Sequence, residues 1–192
     1  METLKDNSCK KHLNFLVLLP HVDSQKLIHD HRQELFCNGF LGAYSFPIAA
    51  PLAILSRPLK IEEIKKISAE TRKLTLKNEG KITTSSLSLA RCPDIEHFSR
   101  LSFYGPLFDI PFQEILMPIN DKIFFLFPEP VICSALYKGD ELPPTSLLKP
   151  FSFRAARIAI LAIRPLKSGL KSYSFEWQLN RAVWLPKWRG NK

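Results

Sequence analysis

Residues Phe153–Ile163 read FRAARIAILAI, with apolar side chains on both faces of an extended chain. A strand that shows one face to water alternates apolar with polar, whereas one covered on both faces does not. This run therefore predicts a central strand. Working outward, Tyr173, Phe175, Trp177 and Leu179 alternate with Ser174, Glu176 and Gln178, the pattern of a half-exposed strand. Ser168-Gly169 lies between the two runs, which predicts a C-terminal β-hairpin. Ala182–Leu185 reads as a short third strand.

The earlier chain alternates strands and helices. His12–Leu19 (HLNFLVLL) reads as a buried strand closed by Pro20. Asp23 or Ser24 can cap a helix running to about Cys37, with Leu27, Ile28, His31 and Leu35 on one face and Asn38-Gly39 as its stop. Ala43–Ser56 reads as a strand interrupted at Pro47 and Pro51, best formed over Leu52–Leu55. Ile61–Leu76 predicts the clearest helix, because Ile61, Ile64, Ile67 and Leu74 recur at helical spacing. Glu62 and Glu63 in its first turn, and Lys73 and Lys77 at its end, suit the helix dipole. Lys81–Ala90 and Lys122–Phe127 read as strands, the second buried. Asp94–Leu101 and Pro130–Tyr137 read as short helical pieces, and Phe103–Phe112 and Lys138–Pro150 as loops. The sum is an α+β chain, read as one domain over 1–192 with two roughly similar halves, 12–90 and 120–185.

Composition narrows the classes. The chain has 192 residues, 45% of them apolar, enough for a core. No apolar run reaches the roughly 20 residues needed to span a bilayer, and Leu13–Pro20 is too short for a signal peptide. Cys9, Cys37, Cys92 and Cys133 are scattered without a CxxC pair, which argues against a zinc site or a disulfide framework and for reduced thiols in a cytoplasmic protein. Cys37 and Cys133 have apolar sequence neighbours and read as small core residues.

The order of elements in the first half carries a resemblance. A strand ending Leu18-Leu19-Pro20 leads into a helix; the strand Ala49-Ala50-Pro51-Leu52-Ala53-Ile54-Leu55-Ser56 follows, then a helix opened by KIEEIKKI (Lys60–Ile67). This resembles the two-histidine phosphoesterase superfamily, the 2′-5′ RNA ligase-like proteins and cyclic phosphodiesterases. The resemblance implies two β-α-β lobes with antiparallel sheets around a cleft, each supplying a His-x-Thr/Ser motif. In that family the histidines act as general acid and base on a 2′,3′-cyclic or 2′-5′ phosphodiester, and the hydroxyls hold the phosphate. Here the first motif falls on Ala49 and Pro51, which cannot do either job. The second falls on Ser86 and Ser88, early in chain order, or on the loop Leu142–Pro150, which offers Thr145 and Ser146 without a histidine.

Other chemistry is thin. His29-Asp30-His31 has two-residue spacing, which does not put both rings on one helix face, so His31 reads as a packed, hydrogen-bonded histidine and no metal is expected. His21 follows the first strand, where loops sit above a sheet, and is the one catalytic candidate. GxSxG, GxGxxG and GxxxxGK[ST] are missing, and no cofactor is expected. The acid pairs Glu62-Glu63 and Asp140-Glu141 read as solvated faces.

Charge is the positive signal. Nine Lys/Arg and one acid lie in 151–192, so all but one unit of the net +9 charge falls there, beside all three tryptophans. Arg154, Arg157 and Arg164 lie on or beside the central strand, where a charge must reach a strand end, an acid or a cleft. Trp184-Leu185-Pro186-Lys187-Trp188-Arg189 interleaves aromatics with cations, which suits stacking on bases and contact with phosphate. The same residues could instead cover a sheet edge and keep it soluble.

The leading expectation is a non-catalytic module that holds RNA, another polyanion or a phosphorylated ligand in a basic cleft of Arg91, Arg154, Arg157 and Arg164. In that reading Ser86 and Ser88 contact phosphate, and Trp184 and Trp188 stack on bases. One alternative is a diverged RNA 2′,3′-cyclic phosphodiesterase or 2′-5′ RNA ligase-like enzyme using His21. The other is a structural or protein-interaction domain presenting Phe103, Tyr104, Phe108 and Phe112.

Overall fold

The computed structural model describes residues 12–76, 81–94, 101–108, 110–138, 149–165 and 175–185. Strand β1 (Leu13–Pro20) leads through helix α1 (Val22–Cys37) and a 3-10 turn (Leu41–Tyr44) to β2 (Ala50–Leu55) and α2 (Ile61–Leu76). Then come β3 (Lys81–Arg91), β4 (Leu101–Phe108), the short α3 (Phe112–Leu116), a 3-10 turn (Met117–Lys122), β5 (Ile123–Leu126) and β6 (Ala135–Lys138). β7 (Ser152–Pro165) and β8 (Phe175–Trp184) follow. The class is α+β, with one eight-stranded sheet in the order β5-β2-β1-β7-β3-β4-β6 and β8 also on β7. Every described pairing is antiparallel.

Phe153–Ile163, apolar on both faces, is central as expected. β7 lies along β1 on one edge, and its other edge is shared: Ser152–Arg154 pair with β3, and Arg157–Pro165 pair with β8. β7 and β8 are consecutive antiparallel neighbours, and Ser168-Gly169 falls outside the described residues. Strands from 12–90 and from 120–185 interleave, since β1 and β2 sit between β5 and β7.

Alternation along β1 and β7 divides the core. Leu16, Leu18, Ile158 and Ile160 pack with Ile64 and Ile67 of α2 and with Phe112, Ile115 and Leu116 of α3. Phe15, Val17, Ala159, Leu161 and Ile163, on the opposite face, pack with Ala90, Leu101, Phe103 and Leu136 of the β3-β4-β6 portion. Phe46 and Phe103 meet edge to face at 4.7 Å there. Helix α2 begins where its periodicity predicts and holds through Leu76, and Glu63 in its first turn accepts from Lys60 N at 2.7 Å. Gly39 takes φ 89° just past α1, the left-handed stop that glycine adopts without strain.

Several local readings are corrected. The cap of α1 is His21, not Asp23 or Ser24. Ala43–Ser56 is not one strand: its start belongs to the 3-10 turn, and pairing begins at Ala50. Ala182–Leu185 is no separate strand, because β8 runs on to Trp184 through a register shift. Lys122–Phe127 forms an edge strand with Phe124 exposed rather than a buried one. Leu101 starts β4 instead of ending a helical turn, and residues 95–100 lie outside the described set, as does most of the loop 138–150.

Phe103–Phe112 is strand β4 followed by α3, not a loop. Pro106 lies opposite Leu87 at a register shift, where one missing N–H donor is tolerated. Pro130–Tyr137 is extended, not helical: Ile132 N donates to Pro106 O at 3.0 Å, Cys133 N to Ala49 O at 2.9 Å and Ser134 N to Tyr104 O at 2.7 Å. Gly105 permits this approach, since a Cβ there would lie 1.8 Å from Ile132 O.

Candidate functional site

Cross-strand register places the cation and the tryptophans together. Arg157 lies opposite Trp184, Ala159 opposite Ala182, Leu161 opposite Leu179 and Ile163 opposite Trp177. The register shifts between Ile160 and Leu161, so Asn180 is absorbed as an extra residue of β8. Strict alternation would put Trp177 and Trp184 on opposite faces, and the extra residue returns them to one. Along β8 this face is exposed, with Trp177 47% exposed, Leu179 42% and Trp184 61%, whereas Ala159, Leu161 and Ile163 of β7 on the same face are buried in the core. The Arg157 guanidinium lies over the Trp184 ring, 3.4 Å from its centroid.

The opposite face of β8 is held by α2 and its approach. Arg181 donates to Leu59 O at 2.6 Å, Ser68 Oγ donates to Trp184 O at 3.2 Å, and Arg164 pairs with Glu176. These contacts fix the strand so that the tryptophan face stays turned outward.

A cavity of about 380 Å³ adjoins this face, lined by Leu19, Gln25, Arg32, Phe46, Trp177 and Leu179 among others. Arg32 reaches it from α1 and is only 4% exposed. Its Nη2 donates to Pro47 O at 3.0 Å and to Cys133 O at 2.5 Å, and its Nε meets no acceptor. One residue back, His31 Nδ1 lies 2.9 Å from Ser134 Oγ, and its ring packs near Tyr104. Burial holds the His31 ring below the ordinary histidine range, with Glu34 opposing the shift and Arg32 adding to it. The expected packed histidine is therefore present, and the residue beside it is a feature that the sequence reading passed over. An arginine on the stripe of Ile28 and Leu35 was the available signal.

The other anticipated residues do not gather around this site. Arg157 and Arg164 occupy opposite faces of β7. Arg154 is exposed and opposite Lys81, with its N donating to Ser24 Oγ at 3.1 Å. Arg91 is exposed opposite Ser102, ten residues along β3 from Lys81, about 30 Å at the rise of a strand. The four arginines thus do not form one basic cleft. Ser86 is exposed at the register shift of β3, and Ser88 is half-buried opposite Gly105. Trp188, Thr145 and Ser146 lie outside the described residues.

His21 serves as a cap, its Nδ1 3.4 Å from Asp23 N and 3.0 Å from Asp23 Oδ2, with 43% of its side chain exposed. Ala49 and Pro51, at the first family motif, are sealed in the core. Phe103, Tyr104, Phe108 and Phe112, expected as an interaction face, are also core residues. Among the described residues no cluster of three His, Cys, Asp or Glu could hold a metal, and no helix is long and apolar enough to cross a membrane. Compared with known protein families, characterised proteins and solved structures, the chain matches none.

Proposed function

We propose that this chain is a non-catalytic binding module that holds single-stranded RNA on the exposed tryptophan stripe of β8, beside Arg157. The observation that carries the reading is the Arg157 guanidinium stacked over Trp184, with Trp177 exposed on the same face. Bases stack on such rings whatever their identity, at about 1–3 kcal/mol each, while cations meet the phosphates. The excess positive charge of 151–192 supplies long-range attraction for a polyanion. A cytoplasmic location belongs to this reading.

The test is fluorescence anisotropy with a short single-stranded RNA across a salt series. Affinity that falls steeply with salt and is lost in Arg157→Glu and in Trp184→Ala supports the module. Absence of binding at low salt removes it.

A second reading keeps the two-lobed phosphoesterase architecture, with lobes 12–90 and 120–185 around a cleft and residual hydrolysis through His21. Its support is that the His21 side chain is accessible at the start of α1. Hydrolysis of a 2′,3′-cyclic nucleotide by the native chain, lost in His21→Ala, would establish it; no turnover by the native chain would end it.

A further inference from the structure

Arg32 is charged, buried and poorly matched. Guanidinium groups taken out of water are normally met by a carboxylate. Among the described residues Arg32 has none: its partners are the carbonyl oxygens of Pro47 and Cys133 through a single nitrogen, and Nε is unpartnered. Burial is the main force pulling this guanidinium below its ordinary range. A folded chain tolerates such a cost where something else completes the pairing.

The surroundings of Arg32 describe what that something is. The cavity it lines holds about 380 Å³, inside the range of small-molecule sites and far too small for a folded partner. Its other walls combine the apolar or aromatic Leu19, Phe46, Leu161, Trp177 and Leu179 with the polar Gln25 and the Tyr44 side chain. We propose that this cavity binds a small ligand consisting of a flat ring bearing a carboxylate or phosphate, the oxyanion directed to Arg32 and the ring against Trp177 and Leu161. A guanidinium suits either oxyanion through its planar fork of donors. The site does not depend on RNA binding at Trp184, since neither Arg157 nor Trp184 lines the cavity.

Two sources share this chemistry, and isothermal titration with paired probes separates them. Adenosine monophosphate is compared with adenosine, and indole-3-acetate with indole-3-acetamide. The expected result is that one anionic probe binds at least about tenfold more tightly than its neutral counterpart, the factor that a charge-assisted hydrogen bond supplies. The nucleotide pair responding identifies a phosphorylated nucleotide; the indole pair responding identifies an aromatic acid.

Arg32→Gln releases Pro47 and Cys133 and so perturbs the fold itself, which puts the deciding variants at exposed positions. Leu179→Glu, which sets a carboxylate at the cavity wall, and Trp177→Ala should each weaken the anionic probe about tenfold with the melting temperature held. Equal binding of anionic and neutral probes, binding unchanged in both variants, or no binding of any probe would overturn the proposal. Arg157→Glu separates this site from the RNA face: loss of RNA with retention of the small probe leaves both standing, and loss of RNA binding in the native chain alone leaves this one untouched.

Discussion

Arg157 and Trp184, 27 residues apart in the chain, face one another across β7 and β8 with the guanidinium carbon 3.4 Å from the ring centroid. Such a pair is preorganised for stacking, because the cation already fixes the ring plane. Trp184→Ala should weaken binding of a single-stranded RNA by about 1–3 kcal/mol, read by anisotropy at fixed salt. The melting temperature should hardly move, since the ring is mostly exposed. Arg157→Lys should recover part of the affinity lost in Arg157→Glu, as a compact ammonium keeps the charge but not the planar stacking.

Acid should destabilise the fold in two steps. The folded state keeps the His31 ring neutral, while the unfolded chain takes up a proton near 6.5. Stability from this group is therefore complete above 6.5 and falls as the pH drops below it. Glu63 is also lowered, but because its charged form is favoured: its hydrogen bond from Lys122, with the Lys60 N–H, holds the carboxyl below 4.5, so its contribution is present above that value and lost beneath it. Denaturant midpoints across a pH series should show both limbs. His31→Gln should flatten the upper one and Glu63→Gln the lower one; unchanged slopes in the variants would refute the assignment.

Two glycines should respond to alanine for different reasons. A Cβ at Gly105 would lie 1.8 Å from Ile132 O, a backbone clash that only a shift of the 131–134 segment relieves. Gly39 has nothing within 4 Å of that position, and only its φ of 89° opposes a side chain. Gly39→Ala should cost roughly 1–2 kcal/mol by chemical denaturation, and Gly105→Ala substantially more. Equal costs would mean that β4 and the following segment pack less tightly than described.

Thiol labelling should rank the cysteines. Cys37 is exposed at the end of α1, contrary to the core role that its sequence neighbours suggested. Cys133 is fully buried, and burial pushes its thiol up to about 12; Cys92 is half-buried and also raised. In native buffer Cys37 should react with a thiol reagent quickly, and Cys133 only on unfolding. Rapid native labelling of Cys133, followed by peptide mapping, would contradict the packing of the 131–134 segment.

Elements written in local pattern were readable. α2 follows from Ile61, Ile64 and Ile67 at helical spacing, and β7 from apolar residues on both faces. β4 and β6 were not, because Gly105, Pro106 and Pro130 are local breakers whose extended conformation is imposed by partners elsewhere. The site divides likewise. Arg157 and the tryptophans stand out by composition, but their common face depends on a register shift that alternation does not announce. For Arg32 the sequence offers only its place on the stripe of Ile28 and Leu35, since its partners are backbone oxygens of Pro47 and Cys133, 15 and 101 residues away.

The shared edge of β7 also governs how the molecule is made. Of the described strands β1 precedes the rest, yet the partner on one of its two edges spans Ala155–Ile163, and the first residues of β3 wait for Ser152–Arg154. A nascent chain that stops short of β7 holds two strands with open edges, the condition that invites pairing between neighbouring chains. Assembly of this sheet is thus a late, long-range event, slow by its topology, and the interval before β7 emerges is when the chain most needs protection from its own copies.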